Sequence, residues 1–527
     1  MHQIDPSVWK ADLPAFREKT AAFYAGEIKV GEYKGFSGYY GSYAQRGGKA
    51  NMLRLRMPAG RVTPDRLAFT AHAIRDFQVP RVHFTTCQTI QLHDLGPDTA
   101  AELMEQAIDA GIITLGGGGD FPRNVMCSPL SGAQAEEYFD VLPWAEAAGN
   151  YLLTFIKAEK MPRKLKVGFS NSPANLTHAT YRDLGFAARP DGTFDVYSAG
   201  GLGNNPRMGV LVGQAVEPAQ ILYYIKAMWL TFRAYGNYEN RGKARTRYMQ
   251  EALGGSEQYI RAFHEKLAEV RASDEDLTLS LTPAPCTKTG DGSTAAGPRI
   301  LPQKQEGLYT VLWHPQGGQP SLDSLCALSD LLQTIPQAEL RLAPDEGAYI
   351  INLTGSEAEQ VLAATPDSAR SLFETSVSCI GGQTCQVGMR DSQGLLAACA
   401  AAVQAAGLPD GALPQIHISG CPASCGTHQT GMLGFRGASK MVDGKPQPAF
   451  TLFVGGEQAQ GREAMGRELG AMPEGEIPAF LVELGQAAAA SGQDFAAWYA
   501  ADPAALERIA APYLHDPAPF SARSKLI

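Results

Sequence analysis

At 527 residues, with 44% hydrophobic and 19% charged side chains, the chain has the composition of a soluble globular protein of several domains, which excludes a mainly disordered chain. Its 56 glycines and 34 prolines promise many turns and show no collagen-like period. A net charge of −9 argues against nucleic acid as the main partner but leaves room for a local basic pocket holding a small anion. The opening residues, Met1 to Phe16, have no basic segment followed by an apolar run, so no signal peptide is expected. The most apolar stretches, Ile221 to Phe232 and Leu395 to Leu408, are short or carry a charge, so no membrane partner and a cytoplasmic location are expected. The nine cysteines then suggest reduced thiols or metal ligands rather than a disulfide framework.

Taken in chain order, Met52 to Gly60 is expected to be a strand ending in a Pro/Gly turn, followed by Thr63 as N-cap, Pro64 at the first helical position and a helix to Ile74. Val82 to Leu92 is expected to be a strand, followed by a helix over Thr99 to Ala110. Arg241 to Leu267 is expected to form a long charged helical region, and Ser273 to Gly307, rich in Thr, Gly, Pro and Ser, a linker. The first pattern then repeats. Leu308 to Gly317 is a strand ending in Pro and Gly, and Ser321 caps a helix with Leu322, Leu325, Leu328, Leu331 and Leu332 on one face. Leu340 to Ile350 is a strand, followed by a helix near Ser356 to Ala364. The turn prolines 58 and 315 lie 257 positions apart, and Thr85 and Ala343 lie 258 apart. A near-constant offset over two strands and two helices indicates duplication, and its domain-sized period excludes a solenoid. After Gly455 an Ala-rich helical stretch to Tyr513 and a short tail are expected. Alternating strands and helices give an α/β or α+β class with mixed sheets.

Four cysteines form two close pairs, Cys379 with Cys385 and Cys421 with Cys425, the second inside a segment rich in Gly and Pro. Tight loops of this kind aim backbone N–H groups at sulfur. Four soft thiolates suit an iron–sulfur cluster or zinc, although the spacing is not the CxxC of a zinc ribbon; unrelated buried thiols are the remaining alternative. Cys326 and Cys399 lie in apolar helical stretches and fit a core.

Through these cysteine pairs and further segments, the chain resembles the sirohaem and 4Fe–4S nitrite and sulfite reductases. The resemblance rests on the two cysteine pairs with GCPASC, and on MLRLRMPAG, TTCQTIQLHDL, GDFPRNVMCSPLSG, Met161 to Lys166, NRGKARTRYM and LFVGGE in order, over residues 30 to 510. It implies an internally duplicated α/β (α+β) fold. Two ferredoxin-like half-domains would form one domain beside two related α/β domains that bind sirohaem and cluster. The implied boundaries are 1–115, 116–272, a linker over 273–306, 307–366 and 367–527. Cys379, Cys385, Cys421 and Cys425 would hold the cluster, with Cys425 shared with the sirohaem iron. Arg54, Arg123, Lys164 and Lys166 match the family's anion-binding positions, with Arg56 able to exchange roles with Arg54. Fixed cations there would hold an oxyanion and the charge that builds on it, and a lysine could also donate protons. Spaced two apart on a strand, Lys164 and Lys166 would share one face. Thr85, Gln88, Gln91, His93 and Asn124 match sirohaem-contacting positions, and Gly200 to Gly203 resembles a loop near the cofactor.

The chain departs from the family at Cys87 and His83, where basic residues are usual. Lys166 in the Lys-x-Lys pair resembles the sulfite branch, so sulfite reduction to sulfide is expected, with nitrite reduction to ammonia as the alternative. No flavin or nicotinamide segment is evident, which implies a separate donor, a ferredoxin or a flavoprotein subunit. A metal-stabilised scaffold that has lost sirohaem is the alternative of another class.

Overall fold

The computed structural model describes residues 5–514, so the expected C-terminal tail lies outside the described residues. Two compact units divide the chain: one runs to Ser368 and includes Ala459–Gly461, and the other takes Ala369–Gln458 and Arg462 onward. Among the described residues, no helix is long and apolar enough to cross a membrane.

The first unit opens with a sheet ordered β1-β2-β5-β4, from β1 Ser42–Ala44, β2 Asn51–Arg56, β4 Arg81–Phe84 and β5 Thr89–Leu95; the two-residue β3 Arg61–Val62 stands apart from it. A second sheet, β10-β9-β8-β7-β6, follows from β6 Met126–Cys127, β7 Val167–Ser170, β8 Leu184–Ala188, β9 Phe194–Ser198 and β10 Val210–Val216. The third is ordered β11-β12-β14-β13-β3, with β11 Ile300–Pro302, β12 Tyr309–Trp313, β13 Glu339–Leu342 and β14 Ala348–Leu353. The duplication is therefore complete at the level of strand order. β1-β2-β5-β4 and β11-β12-β14-β13 have the same strand order, with helices in corresponding places, Pro64–Phe77 with Leu322–Leu332 and Pro97–Asp109 with Gly355–Ala364. Even the kink after the second strand repeats, with Ala59 at φ 57° and Gly317 at φ 56°. One apolar core fills both half-domains, joining Leu55, Phe84 and Ile90 to Trp313, Leu340 and Ile350.

The second unit repeats the other sheet. Its strands β15 Val377–Ser378, β16 Ile416–Ser419, β17 Leu433–Val442, β18 Lys445–Val454 and β19 Arg467–Pro473 pair parallel, parallel, antiparallel, antiparallel, as β6 to β10 do. The loops after β7 and β16 are related in sequence as well. Ser170-Asn-Ser-Pro-Ala corresponds to Ser419-Gly-Cys-Pro-Ala, so Ser172 stands where the later copy has Cys421. In both copies a glycine, Gly185 or Gly434, lies where a Cβ would overlap a carbonyl oxygen, that of Ala179 or His428.

Several expected elements differ. Val82 to Leu92 is not one strand but the β4–β5 hairpin, because Gln88 turns with φ 53° and Thr85 closes the turn through its hydroxyl. Leu340 to Ile350 is likewise a hairpin, turned at Glu346 with φ 71°. The region Arg241 to Leu267 is broken into a turn at Arg241–Lys243 and helices Tyr248–Ala252 and Ser256–Arg271, interrupted by the Gly254-Gly255 pair. The Ala-rich C-terminal stretch is interrupted by β19.

Candidate active site and cluster loop

The first unit gathers its cations on the sheet β1-β2-β5-β4 and on the loop before β6. Alternation along β2 puts Arg54 and Arg56 on one face. Their fates differ. Arg56 is buried and donates from Nη1 to the Pro122 carbonyl at 2.9 Å and from Nη2 to the Arg123 carbonyl at 3.1 Å. Burial, then the charges of Arg123 and Arg54, push it down to about 9. It braces the segment that carries Arg123, whereas Arg54 is half-buried and donates from Nη1 to the Gly117 carbonyl at 2.5 Å.

Arg123 donates to the same Gly117 oxygen at 2.6 Å and to the Gly119 carbonyl at 2.7 Å. The two guanidinium groups thus converge on one backbone oxygen. Burial brings Arg123 down to about 10, with Tyr43 acting to raise it and Arg54 to lower it. The carbonyls come from a run of four glycines, 116–119, that the sequence reading passed over. A Cβ on Gly117 would stand 2.7 Å from the Thr114 oxygen, and one on Gly118 would crowd Gly38 and the Tyr43 hydroxyl at 2.5 Å. Four successive glycines just ahead of Arg123 were the available signal.

Lys164 and Lys166 flank Leu165, which forms an isolated parallel bridge with Pro122 and accepts the Arg123 backbone N–H at 2.8 Å. They stand just before β7, not inside a strand, with Lys164 and Lys166 half-buried around a buried Leu165. The Lys166 backbone is fixed by the Asp183 carboxylate at 2.8 Å, which also takes Arg245 at 3.0 Å. Burial raises the Asp183 carboxyl, but Arg245, Thr246 and the Lys166 N–H outweigh it and hold it below the usual carboxylate range.

The β4–β5 turn brings Cys87 to these cations. Burial pushes its thiol up, but the charges of Lys166 and Arg182, a hydrogen bond with Lys166, and Arg54 bring it down to about 6. The position where the family has a base therefore holds an acid, already surrounded by bases.

The other expected cofactor contacts divide into two groups. Gln88 is spent on the protein. Its amide donates to the Cys127 carbonyl at 2.7 Å and the Leu342 carbonyl at 2.5 Å, and accepts from the Cys127 N–H at 2.9 Å. Asn124 donates to the carbonyls of Cys87 and Gln88 at 3.2 and 2.9 Å. Both side chains hold the turn through their amide N–H groups. Thr85 bonds Thr89 at 2.8 Å, while Gln91 and His93 lie on the same face of β5 as Arg54's partner row.

Several buried guanidinium nitrogens lack a hydrogen-bond partner: Arg123 Nε, Arg245 Nε, and Nε and Nη1 of Arg247, which is 4% exposed and lies beside Gly201. Orphaned cationic donors of this kind call for anionic acceptors, and a tetrapyrrole bearing eight carboxylates is such a partner. The site fits the group. Arg182, Arg245 and Arg247 were missed because residue type alone does not separate a pocket base from a surface base.

In the second unit, parallel pairing puts the C-terminal ends of β15 and β16 side by side. Cys379 leaves the first and the Cys421 to Cys425 loop leaves the second, so the two pairs emerge at one sheet end. Cys385 caps the short helix Gly381–Thr384. The Gly420 N–H donates to Cys379 Sγ at 3.2 Å, and the Ser392 hydroxyl lies 3.2 Å from the same sulfur. Burial, with Cys425 close by, pushes the Cys379 thiol up to about 12, so the charge of bound iron is what would hold it as thiolate. Among the described residues no three Cys, His, Asp or Glu side chains converge as ligands of one ion would. Four thiols leaving one sheet end are a donor set that an iron–sulfur cluster takes, one sulfur to each iron.

Comparison with known proteins agrees with this geometry. Residues 118–270 match the family described as the nitrite and sulphite reductase 4Fe-4S domain, and residues 43–110 match the nitrite/sulfite reductase ferredoxin-like half domain. A ferredoxin–nitrite reductase of Synechococcus elongatus is 28% identical over 425 residues, covering 77% of this chain and 80% of that protein. A protein of Mycolicibacterium paratuberculosis named sulfite reductase (ferredoxin) 1 is 25% identical over 431 residues, covering 78% and 75%. The structure of the Mycobacterium tuberculosis NirA protein shares the fold, with a TM-score of 0.73 at 23% identity over 88% of this chain and 89% of that one.

Proposed function

We propose, from the premise that this chain belongs to the sirohaem and 4Fe–4S nitrite and sulfite reductase family, that it is an oxidoreductase reducing sulfite to sulfide by six electrons drawn from a separate donor protein. The observation that carries the reading is the convergence of Arg54 and Arg123 on the Gly117 carbonyl, with orphaned guanidinium nitrogens in the same unit. Cys379, Cys385, Cys421 and Cys425 would hold the cluster, and Arg182, Arg245 and Arg247 would meet sirohaem carboxylates. When bound, the cluster and sirohaem supply the electron storage and the iron that receives the anion.

The protein's share is binding, charge and protons. Arg54 and Arg123 are held by backbone carbonyls, so their charge is aimed before the anion arrives and needs no reorganisation. Each departing oxygen must leave as water. Lys164 and Lys166, half-buried and next to Arg123, are placed to donate protons and regain them from solvent. Arg56 and the glycine run fix the loop that aims Arg123.

Nitrite is the second reading, and Cys87 favours it. A thiolate on Lys166 removes one positive charge from the pocket, which weakens the hold on a dianion more than on a monoanion. Relatives named as ferredoxin-dependent support a ferredoxin as donor. Steady-state reduction of both anions with one artificial donor tests the reading. A larger kcat/KM for sulfite supports the first substrate, a larger value for nitrite replaces it with the second, and turnover of neither rejects the function.

A further inference from the structure

Cross-strand pairing on the first sheet lines up a row of side chains. Arg54 on β2 stands opposite Gln91 on β5, and Gln91 stands opposite His83 on β4. His93 follows Gln91 on the same face. Beyond His83, in the β13–β14 turn of the second half-domain, lies Glu346. Its Oε1 is 3.7 Å from His83 Nε2, and both residues are buried, at 1% and 3% exposure.

The hydrogen-bond logic of this row has one solution. A guanidinium only donates, so the Gln91 carbonyl oxygen must face Arg54, where it accepts from Nη2 at 2.5 Å and Nε at 3.3 Å. The Gln91 amide nitrogen then faces His83 Nδ1 and His93 Nε2, each at 3.2 Å. It can only donate, so both ring nitrogens must be bare acceptors. His93 consequently carries its proton on Nδ1, which meets the Gln45 carbonyl oxygen at 3.1 Å. His83 carries its proton on Nε2, toward Glu346. Burial, then His83, Arg81 and Arg54, keep His93 well below its usual range, which agrees with a neutral ring. With Nη1 on Gly117, three of the five Arg54 N–H groups are engaged by the protein, and the remaining two lie on the terminal nitrogens.

We propose that His83 and Glu346 are positioning residues for Arg54, acting through Gln91, and that protonation of His83 opens the clamp. An imidazolium donates from both nitrogens, so its Nδ1–H would meet the Gln91 amide nitrogen head on. Gln91 would then turn its carbonyl to His83 and present donors to Arg54, which loses its acceptor. The charged groups facing His83 set where this happens. Glu346, from the opposite half-domain, favours the imidazolium. Arg54 on β2 and Arg81 on its own strand disfavour it, although Arg81 is paired with Asp94 at 2.9 Å. His93, with its ring centroid 6.2 Å away, is neutral, and Gly318 packs against the ring without charge. Gln91 is the joint at which a proton on β4 is converted into the aim of a guanidinium on β2.

This inference rests on the reading of Arg54 as an anion-binding group. The test is equilibrium nitrite binding to the oxidised holoenzyme without donor, followed through the sirohaem absorption bands between pH 5.5 and 9. Wild-type Kd should rise as pH falls through one protonation. E346Q should change this pH dependence, since Glu346 is the carboxylate that faces His83 Nε2 at 3.7 Å. H83L removes the acceptor and should weaken binding about tenfold at high pH. H83Q, whose carbonyl can accept from Gln91 at every pH, should recover most of that affinity and lose the pH step. If H83L fails to load sirohaem, H83Q and E346Q still decide. A wild-type pH step retained in H83Q, or an unmoved midpoint in E346Q, would overturn the inference while leaving the function intact. A sirohaem-loaded wild type that shows no nitrite shift at any pH would overturn the functional reading and the inference with it.

Discussion

At the scale of single residues, the pocket is a balance of fixed cations against one acid. Cys87 is the sharpest case, because its thiol is brought down to about 6 against the upward push of burial. Alkylation of Cys87 by iodoacetamide, followed by mass spectrometry of its peptide, should therefore be half-maximal near pH 6 in wild type. In K166M, with the hydrogen-bonding ammonium gone, the midpoint should move up by one unit or more. Identical profiles would show that Lys166 does not hold the thiolate. The linked effect on stability has a definite sign. The folded thiol is more acidic than the unfolded one, so the contribution is full above the unfolded range near 8.5 and is lost as pH falls through about 6. C87S should flatten that part of the stability–pH curve. Substrate choice turns on the same contact. K166N should shift the sulfite-to-nitrite ratio of kcat/KM toward nitrite, since loss of one cation costs a dianion more. A ratio unchanged from wild type would remove Lys166 as a selectivity element.

At the scale of elements, function depends on loops that leave strand ends. Parallel pairing of β15 with β16 is what brings the Cys379 pair and the Cys421 pair to one end, and the close approach of β17 to the His428 carbonyl needs Gly434. G434A should push that loop away, costing about 3 kcal/mol or more, and should lower bound iron and acid-labile sulfide even where the protein remains folded. C421S should remove most iron and sulfide by losing a ligand directly. Full metal content in C421S would exclude Cys421 as a ligand. The sequence showed these loops well, because cysteine spacing and Gly/Pro context are local signals. It showed the hairpins poorly. The turn at Thr85 to Gln88 contains neither Gly nor Pro, and the left-handed residue there is a glutamine, so a strand pattern ran straight through it. Gln88 and Asn124 matched a cofactor pattern by position, yet their amides meet backbone carbonyls supplied by distant segments. Only the fold reveals such partners. The Gly116 to Gly119 run was visible in sequence, but its use, carbonyls shared by Arg54 and Arg123, depends on tertiary approach.

At the scale of the whole molecule, duplication explains the architecture, and one donated strand fuses two half-domains of the first unit. β3 comes from the first half but completes the sheet of the second by pairing with β13, Arg61 opposite Arg341. Glu339 sits between them, accepting from Arg61 Nε at 2.6 Å and Arg341 Nε at 2.7 Å, and Arg61 also reaches Glu146. Burial pushes the Glu339 carboxyl up, but Arg341 and Arg61 outweigh it and hold it below its usual value. E339A leaves Arg341 buried without its counter-charge and should cost about 3–5 kcal/mol, measured by denaturant unfolding. Because the folded carboxyl is the stronger acid, the stabilisation is present above the unfolded value and is lost as pH falls through the folded one. The acid limb of wild-type unfolding should therefore be shallower in E339A. The duplicated copies have also diverged in chemistry: Ser172 stands where the later copy has Cys421, so the thiolate-rich loop belongs to the second copy and the cation-rich segments to the first. The proposed function is that of a six-electron reductase. The most direct measurement is electron stoichiometry: reduced artificial donor consumed per anion removed, with product assayed in the same reaction. Six electrons per anion, with sulfide or ammonia recovered in full, is the expected result. Consumption of one or two electrons per nitrite with release of a nitrogen oxide, or no donor oxidation with either anion by sirohaem-loaded protein, would contradict it.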